Sequence, residues 1–186
     1  MQPPAGATTL AVDNEEGEIM DGVVLVAYAS KHGSTREIAE RICETIQATG
    51  LRAHLRPAMG ADDLEGYGAV VLGGSIYRGR WHRQAHRFLR RHEESLADRP
   101  LAVFGSGPVD GGSGDWRLAR EQLDAALARH DVDPVAVEVF GGRIDPSQHL
   151  FPLSRMQAQD SRDWEAIEAW GRLLPELLGI QSPLLV

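Results

Sequence analysis

A chain of 186 residues, 42% hydrophobic and 25% charged, has the size and apolar content of one globular domain. Its net charge of −8 excludes a nucleic-acid binder that works through bulk positive charge. The single cysteine, Cys43, excludes an intrachain disulfide framework, and no run of 18 apolar residues supplies a bilayer-spanning helix.

The charge is unevenly placed. Asp13, Glu15, Glu16, Glu18 and Asp21 fall in the first 22 residues with no Lys or Arg, so removing that segment takes the balance from −8 to −3. Residues 1–21 mix Pro, Gly, Thr and acids without periodicity and are expected to form a flexible acidic tail. Met20, just before the first strand signal, is the alternative start. The N-terminus lacks the basic and apolar regions of a secretory signal, so a cytoplasmic location is expected.

From Val23 the pattern is regular. Val23–Tyr28 is a short apolar run of the buried, parallel-sheet type, ending in a Ser/Gly/Thr turn. Ile38, Ala39, Ile42, Cys43 and Ile46 recur at helical spacing up to Gly50, which makes Cys43 a core thiol. Leu51–Leu55 is the second strand, followed by a loop with Asp62, Asp63 and Gly66. Ala69–Leu72 is the third strand, closing in Gly73-Gly74-Ser75. A helix is predicted from about Trp81 to Leu96, with Trp81, Ala85, Phe88, Leu89, His92 and Leu96 on one side.

Leu101–Phe104 is the fourth strand and leads into a Gly-rich loop through Gly114. Leu118–Leu127 is predicted helical and Val135–Phe140 is the fifth strand. A last helix, near Ser161 to Leu178, repeats Trp164, Ile167, Trp170, Leu174 and Leu177, with Pro175 near its end. Alternating apolar strands and helices predict an α/β fold whose parallel sheet is covered on both faces. In such sheets ligands sit beyond the carboxyl ends of the strands, which directs attention to the loops there.

The first of these loops, Ser30-Lys31-His32-Gly33-Ser34-Thr35, opens directly into a helix. Three hydroxyls, a glycine and a helix N-terminus in six residues suit an anion, and the only lysine of the chain lies among them. The same residues also fit a ligand-free capping box, Ser34 capping and Glu37 reaching back. No P-loop spacing is present, and no Gly-x-Gly-x-x-Gly follows the first strand. A receiver-type phosphorylation site fails as well, because the first and third strands end in Ala29-Ser30 and Gly74-Ser75 rather than in acids. His82 and His86 have i, i+4 spacing without a third ligand, so no metal site is expected.

Tyr28-Ala29-Ser30-Lys31-His32-Gly33-Ser34-Thr35 resembles the FMN-phosphate loop of the flavodoxin family. Gly73-Gly74-Ser75-Ile76-Tyr77-Arg78-Gly79 resembles the loop after the third strand in the branch that includes menaquinone-dependent protoporphyrinogen oxidases. Asp160-Ser161-Arg162-Asp163-Trp164 is similar to that branch's entry into its last helix. The resemblance runs from about Val23 to Leu178. It implies a flavodoxin-like three-layer αβα sandwich over 22–180, with a five-stranded parallel sheet of order 2-1-3-4-5 and a short tail at 181–186.

It also implies FMN as cofactor. Ser30, His32, Gly33, Ser34 and Thr35 would hold the phosphate, with Lys31 as charge support. Gly74, Ser75, Ile76 and Tyr77 would lie along the flavin ring, and Gly105, Ser106 and Gly107 would close its other edge. Tyr77 is the best aromatic plate, ahead of Trp81 and Trp116. The flavin carries the electrons, so no general base is required, and none stands out.

Three functions follow. One is an FMN-dependent oxidoreductase resembling the protoporphyrinogen oxidases, with a quinone acceptor. The second is a flavodoxin-type electron carrier between redox proteins, and the third is a flavin-free structural or signalling module. The stretch 78–92 is rich in Arg and His, and reads either as a solvated helix face or as a docking patch. Arg78, Arg80 and Arg83 would there meet a redox partner or an anionic small-molecule substrate. Carriers of this family usually present an acidic face instead. No nucleic acid and no integral membrane association are expected.

Overall fold

Val23–Ala29 (β1) lies in the middle of a parallel sheet and is almost wholly buried, which is why it is apolar without alternation. It pairs on one side with Arg52–Pro57 (β2) and on the other with Ala69–Tyr77 (β3). Beyond β3 comes Leu101–Ser106 (β5), and Ala136–Phe140 (β6) forms the edge. The order β2-β1-β3-β5-β6 is the expected 2-1-3-4-5 once one short strand is set aside. That strand, Arg80–Trp81 (β4), folds back antiparallel on the end of β3, pairing Ile76 with Trp81 and Tyr77 with Arg80. This computed structural model describes residues 22–107, 113–145 and 158–180. The expected tails at 1–21 and 181–186 lie outside the described residues.

Helices cover both faces. Ser34–Ala48 (α1) and Trp164–Leu177 (α5) lie on one, where Ile38, Ile42 and Ile46 meet Val24, Val26, Ile167, Trp170 and Leu174. The other face packs Leu25, Val70, Leu72 and Val103 against Phe88, Leu89 and Leu123. These come from Arg83–Arg91 (α2) and Ser113–Leu127 (α4). Successive residues of the central strands therefore feed opposite cores, as a pleated strand must. Each fully buried Ile, Leu or Phe contributes roughly 1.5–3 kcal/mol. Cys43 is buried in the first core, and desolvation pushes its thiol up to about 11, as expected of a core residue.

Several boundaries differ from the sequence reading. β3 runs through Gly73-Gly74-Ser75 to Tyr77 instead of ending at Leu72, so these residues are strand before they are loop. The helix predicted over 81–96 begins only at Arg83, because Trp81 belongs to β4 and the His82 side chain accepts the N-terminal hydrogen bond from Gln84. It breaks at His92, whose ring nitrogen Nε2 pairs with the Ala61 carbonyl at 2.9 Å, and resumes as Glu93–Ala97 (α3). All six residues placed on its inner side are nonetheless buried. α4 begins five residues before Leu118, which is itself exposed. α5 starts at Trp164 after an Asp163 cap and carries Pro175 inside it, while Leu177 faces outward. Two short strands, Arg143–Ile144 (β7) and Gln159–Asp160 (β8), pair beyond β6 as a separate ribbon.

Candidate functional site at the carboxyl edge of the sheet

The phosphate-type loop closes on itself before it opens into α1. Ser30 Oγ accepts a hydrogen bond from the Gly33 amide at 3.0 Å, and Gly33 has φ +85°, a left-handed turn that suits glycine. Gly33 is the N-cap, and no side chain caps the helix. The capping box predicted for Ser34 and Glu37 is therefore absent. Ser34 is the first helical residue, and the Glu37 carboxylate, though it lies beside the helix start, is paired with Arg143 and Arg162. The ligand-free explanation of this sequence does not describe the fold.

Thr35 gives the clearest chemical signal. Its side chain is 1% exposed, and its hydroxyl is the one buried side-chain polar atom without a hydrogen-bond partner among the described residues. A buried hydroxyl left unpaired costs about 1–3 kcal/mol, so such groups are rare unless something else completes them. It stands in the first turn of a helix, where main-chain N–H groups and the helix dipole favour an anion. The donor set of Ser30, Ser34 and Thr35 with the α1 N-terminus fits a phosphate group. Lys31 is exposed beside them, and His32 is half-buried. Burial is the first cause holding the His82 imidazole below its ordinary value, and the charges of Arg83 and then Lys31 add to it.

The second cluster lies across the ends of β3 and β5. Ser75 pairs with Ser106 in register, Gly74 with Gly105. Gly74, Gly105, Ser106 and Gly107 are buried, Ser75 and Ile76 are half-buried, and Tyr77 is 52% exposed. The glycines here make room for neighbouring atoms of the protein itself, side-chain or main-chain. A Cβ on Gly105 would stand 2.6 Å from the Ile76 Cδ1, and one on Gly107 would stand 2.7 Å from the Ile76 carbonyl oxygen. Ile76 thus spans the gap between the two loops. The Arg78 guanidinium carbon lies 5.4 Å from the centre of the Tyr77 ring.

The turn joining β3 to β4 has φ +50° at Arg78 and φ +74° at Gly79, the pattern of a type I′ hairpin. Glycine suits that geometry and arginine does not. Arg78, Arg80, Arg83 and Arg90 are exposed without a carboxylate partner among the described residues, whereas Arg91 pairs with Asp62 at 2.8 Å. The basic stretch is therefore a surface with spare positive charge, continuous from the hairpin tip onto α2.

The sequence reading missed two features. One is the side-chain network linking Glu37 to Arg143 and Arg162; its partners lie 106 and 125 residues away, beyond any local pattern. The other is a cavity of about 320 Å³ beside the edge strand, lined by Trp116, Phe140, Gly141, Ser161, Asp163 and Trp170 among others. None of the predicted site residues lines it. Trp116, a weaker plate candidate, faces this cavity, and Trp81 is buried beneath Gly74. Among the described residues no group of three or more His, Cys, Asp or Glu could hold a metal, and no helix is long and apolar enough to cross a membrane.

Comparison with known proteins bears on the fold and the family. The chain is 28% identical to the protoporphyrinogen IX dehydrogenase (quinone) of Escherichia coli over 82 residues, 43% of this chain and 45% of that protein. It thus spans less than half the length of that curated relative. It is 30% identical over 159 residues to a self-sufficient cytochrome P450 monooxygenase of Phanerodontia chrysosporium, covering 82% of this chain and 13% of that much larger protein. Oxidised flavodoxin 1 from Bacillus cereus superposes with a TM-score of 0.55 at 20% identity, over 86% of this chain and 99% of its own. Rubredoxin oxygen:oxidoreductase from Desulfovibrio gigas gives 0.51 at 16% identity, over 84% and 36%. At such identities these two likenesses establish the fold. Residues 25–156 match the Flavodoxin domain family, and the chain belongs to it.

Proposed function

We propose that this chain is an FMN-dependent oxidoreductase whose flavin phosphate sits at the N-terminus of α1. The observation that carries the reading is Thr35, a buried hydroxyl without a partner in the turn where a phosphate would complete it. Bound FMN supplies electron uptake and release at its ring. The chain's own residues would bind, orient and shield it. Ser30, Ser34 and Thr35 offer hydroxyls to the phosphate, the free helix end offers N–H groups, and Lys31 and His32 flank them. Gly74, Ser75, Ile76 and Tyr77 stand along the ring on the β3 side, and Gly105, Ser106 and Gly107 on the β5 side. Tyr77 is the exposed aromatic residue there and would cover the ring.

The exposed arginines favour an oxidoreductase that meets an anionic molecule over a carrier that docks through acidic charge. Arg78, Arg80 and Arg83 lie on the hairpin and the first residue of α2, next to Tyr77. Unpaired positive charge there raises the local concentration of a carboxylate-bearing substrate or an acidic redox partner. Similarity to a protoporphyrinogen dehydrogenase supports a substrate of the first kind, with a quinone as acceptor.

The test is to purify the protein and titrate it with FMN. Visible absorption of bound flavin, released as FMN on denaturation, is expected; a chain that takes up none would overturn the proposal. With flavin bound, oxidation of protoporphyrinogen with a quinone acceptor separates an enzyme from a carrier.

A further inference from the structure

We infer that Arg143 is a phosphate-selecting residue, giving the α1 cradle the positive charge that separates a phosphorylated flavin from the neutral, unphosphorylated one. The inference rests on the FMN reading above and adds a residue that no loop pattern indicates. Arg143 begins β7, more than a hundred residues after the phosphate loop, yet two parts of it touch the first turns of α1. Its main-chain N–H donates to Ser34 Oγ at 3.1 Å. Its guanidinium grips the Glu37 carboxylate, with Nη2 at 3.0 Å from Oε1 and Nη1 at 3.4 Å from Oε2.

Both contacts prepare the cradle for an anion. A hydroxyl that accepts from Arg143 keeps its own proton to donate elsewhere. Glu37 Oε1 lies 3.9 Å from the point a Cβ on Gly33 would occupy, so this carboxylate stands beside the N-cap. Alone it would repel a phosphate dianion at that place. Two arginines oppose it, and they are not equivalent. Arg162 is 4% exposed and fully engaged: Nε and Nη2 hold Asp160 at 2.8 and 2.6 Å, Nη1 holds Glu37 at 2.6 Å, and the guanidinium lies 4.5 Å from the centre of the Trp164 ring. Arg143 is 29% exposed, and among the described residues its guanidinium has only Glu37 as partner. It has N–H donors to spare, and it can share them between Glu37 and a phosphate oxygen. Arg162 holds the carboxylate; Arg143 serves the ligand.

The experiment compares FMN with riboflavin, which lacks the phosphate, by quenching of flavin fluorescence on the full chain. Arg143→Gln should lose on the order of ten-fold or more in FMN affinity, as expected for a charge-assisted hydrogen bond. Its riboflavin affinity should stay unchanged, and Arg143→Lys should recover part of the loss. Equal losses for both flavins would mean that Arg143 only braces the fold, and an unchanged FMN affinity would remove it from the site. Either result overturns the inference while leaving FMN as cofactor. A wild-type chain that binds neither flavin overturns both readings.

Discussion

The indole of Trp81 donates from Nε1 to the carbonyl of Gly74 at 3.2 Å, and its ring fills the space a side chain on Gly74 would need. The pair pins the β3–β4 hairpin to the sheet directly beneath the residues proposed to face the flavin. Gly74→Ala would drive a methyl into a ring already 4% exposed and ringed by core. Overpacking of this kind costs about 1–3 kcal/mol. Trp81→Phe loses the hydrogen bond but keeps an aromatic body, for about 1 kcal/mol plus the vacated volume. Urea denaturation of both variants checks this. A Gly74→Ala protein as stable as wild type would mean that the hairpin is free to move away from the sheet.

Thr35 leads to a variant with opposite effects on stability and binding. Thr35→Val keeps the shape of the side chain and deletes the unpaired hydroxyl. Without ligand, the variant should be more stable than wild type by about 1 kcal/mol or more, because the cost of an orphaned buried group disappears. Its FMN affinity should fall on the order of ten-fold, since a donor to phosphate is lost. Thermal melts without and with FMN would show the two curves crossing. A variant destabilised without ligand would mean that the hydroxyl has a partner in solution.

The histidines set a pH dependence. His86 Nδ1 and His130 Nε2 lie 2.8 Å apart, joining α2 to the residues after α4, and His86 meets the edge of Trp81. Burial is the first cause holding both below their ordinary value of 6.5. His130, Arg129 and Arg90 add to it at His86; Arg90 and Arg129 add to it at His130, where Glu93 opposes. Half-buried His82 and buried His92 are lowered too, again mainly by desolvation. Groups with depressed folded values bind fewer protons in the fold than in the unfolded chain. Stability is then complete above pH 6.5 and is lost as the pH falls below it, toward the lowered folded values. Urea midpoints at about pH 7.5 and 5.5 should differ, and His130→Gln should reduce the difference. A difference of the same size in the variant would remove this pair from the cause.

The fold was legible because its strands are unusually plain. β1, β3 and β5 are buried on both faces, so their sequences are continuous apolar runs that admit no alternating reading. The loop proposed to hold the phosphate stood out because hydroxyls, glycine and helix start are adjacent in sequence. What escaped was non-local or context-dependent. Trp81 fits a helical stripe with Ala85 and Phe88, but pairing with Ile76 claims it for a strand. Ser34 and Glu37 have the spacing of a capping box, and Arg143 and Arg162, brought from the far end of the chain, take the carboxylate. Local pattern names candidates for a hydrogen bond, and tertiary structure decides which is formed.

Arg78 offers the most direct test of the basic surface. Its φ of +50° at the first centre of a type I′ turn disfavours a long side chain, and asparagine before glycine is the preferred pair there. Arg78→Asn keeps Gly79 in place and should stabilise the hairpin by up to about 1 kcal/mol. If the strained arginine is retained for an anionic partner, the same variant should slow reoxidation of the reduced protein by an anionic acceptor such as ferricyanide. Reoxidation by a cationic cobalt complex should be unchanged or faster. Stopped-flow rates at low and high salt separate the two, because a charge effect fades as ionic strength rises. Anionic and cationic acceptors responding alike would show that Arg78 exerts no field at the reacting edge, leaving the hairpin arginines as a solvated face.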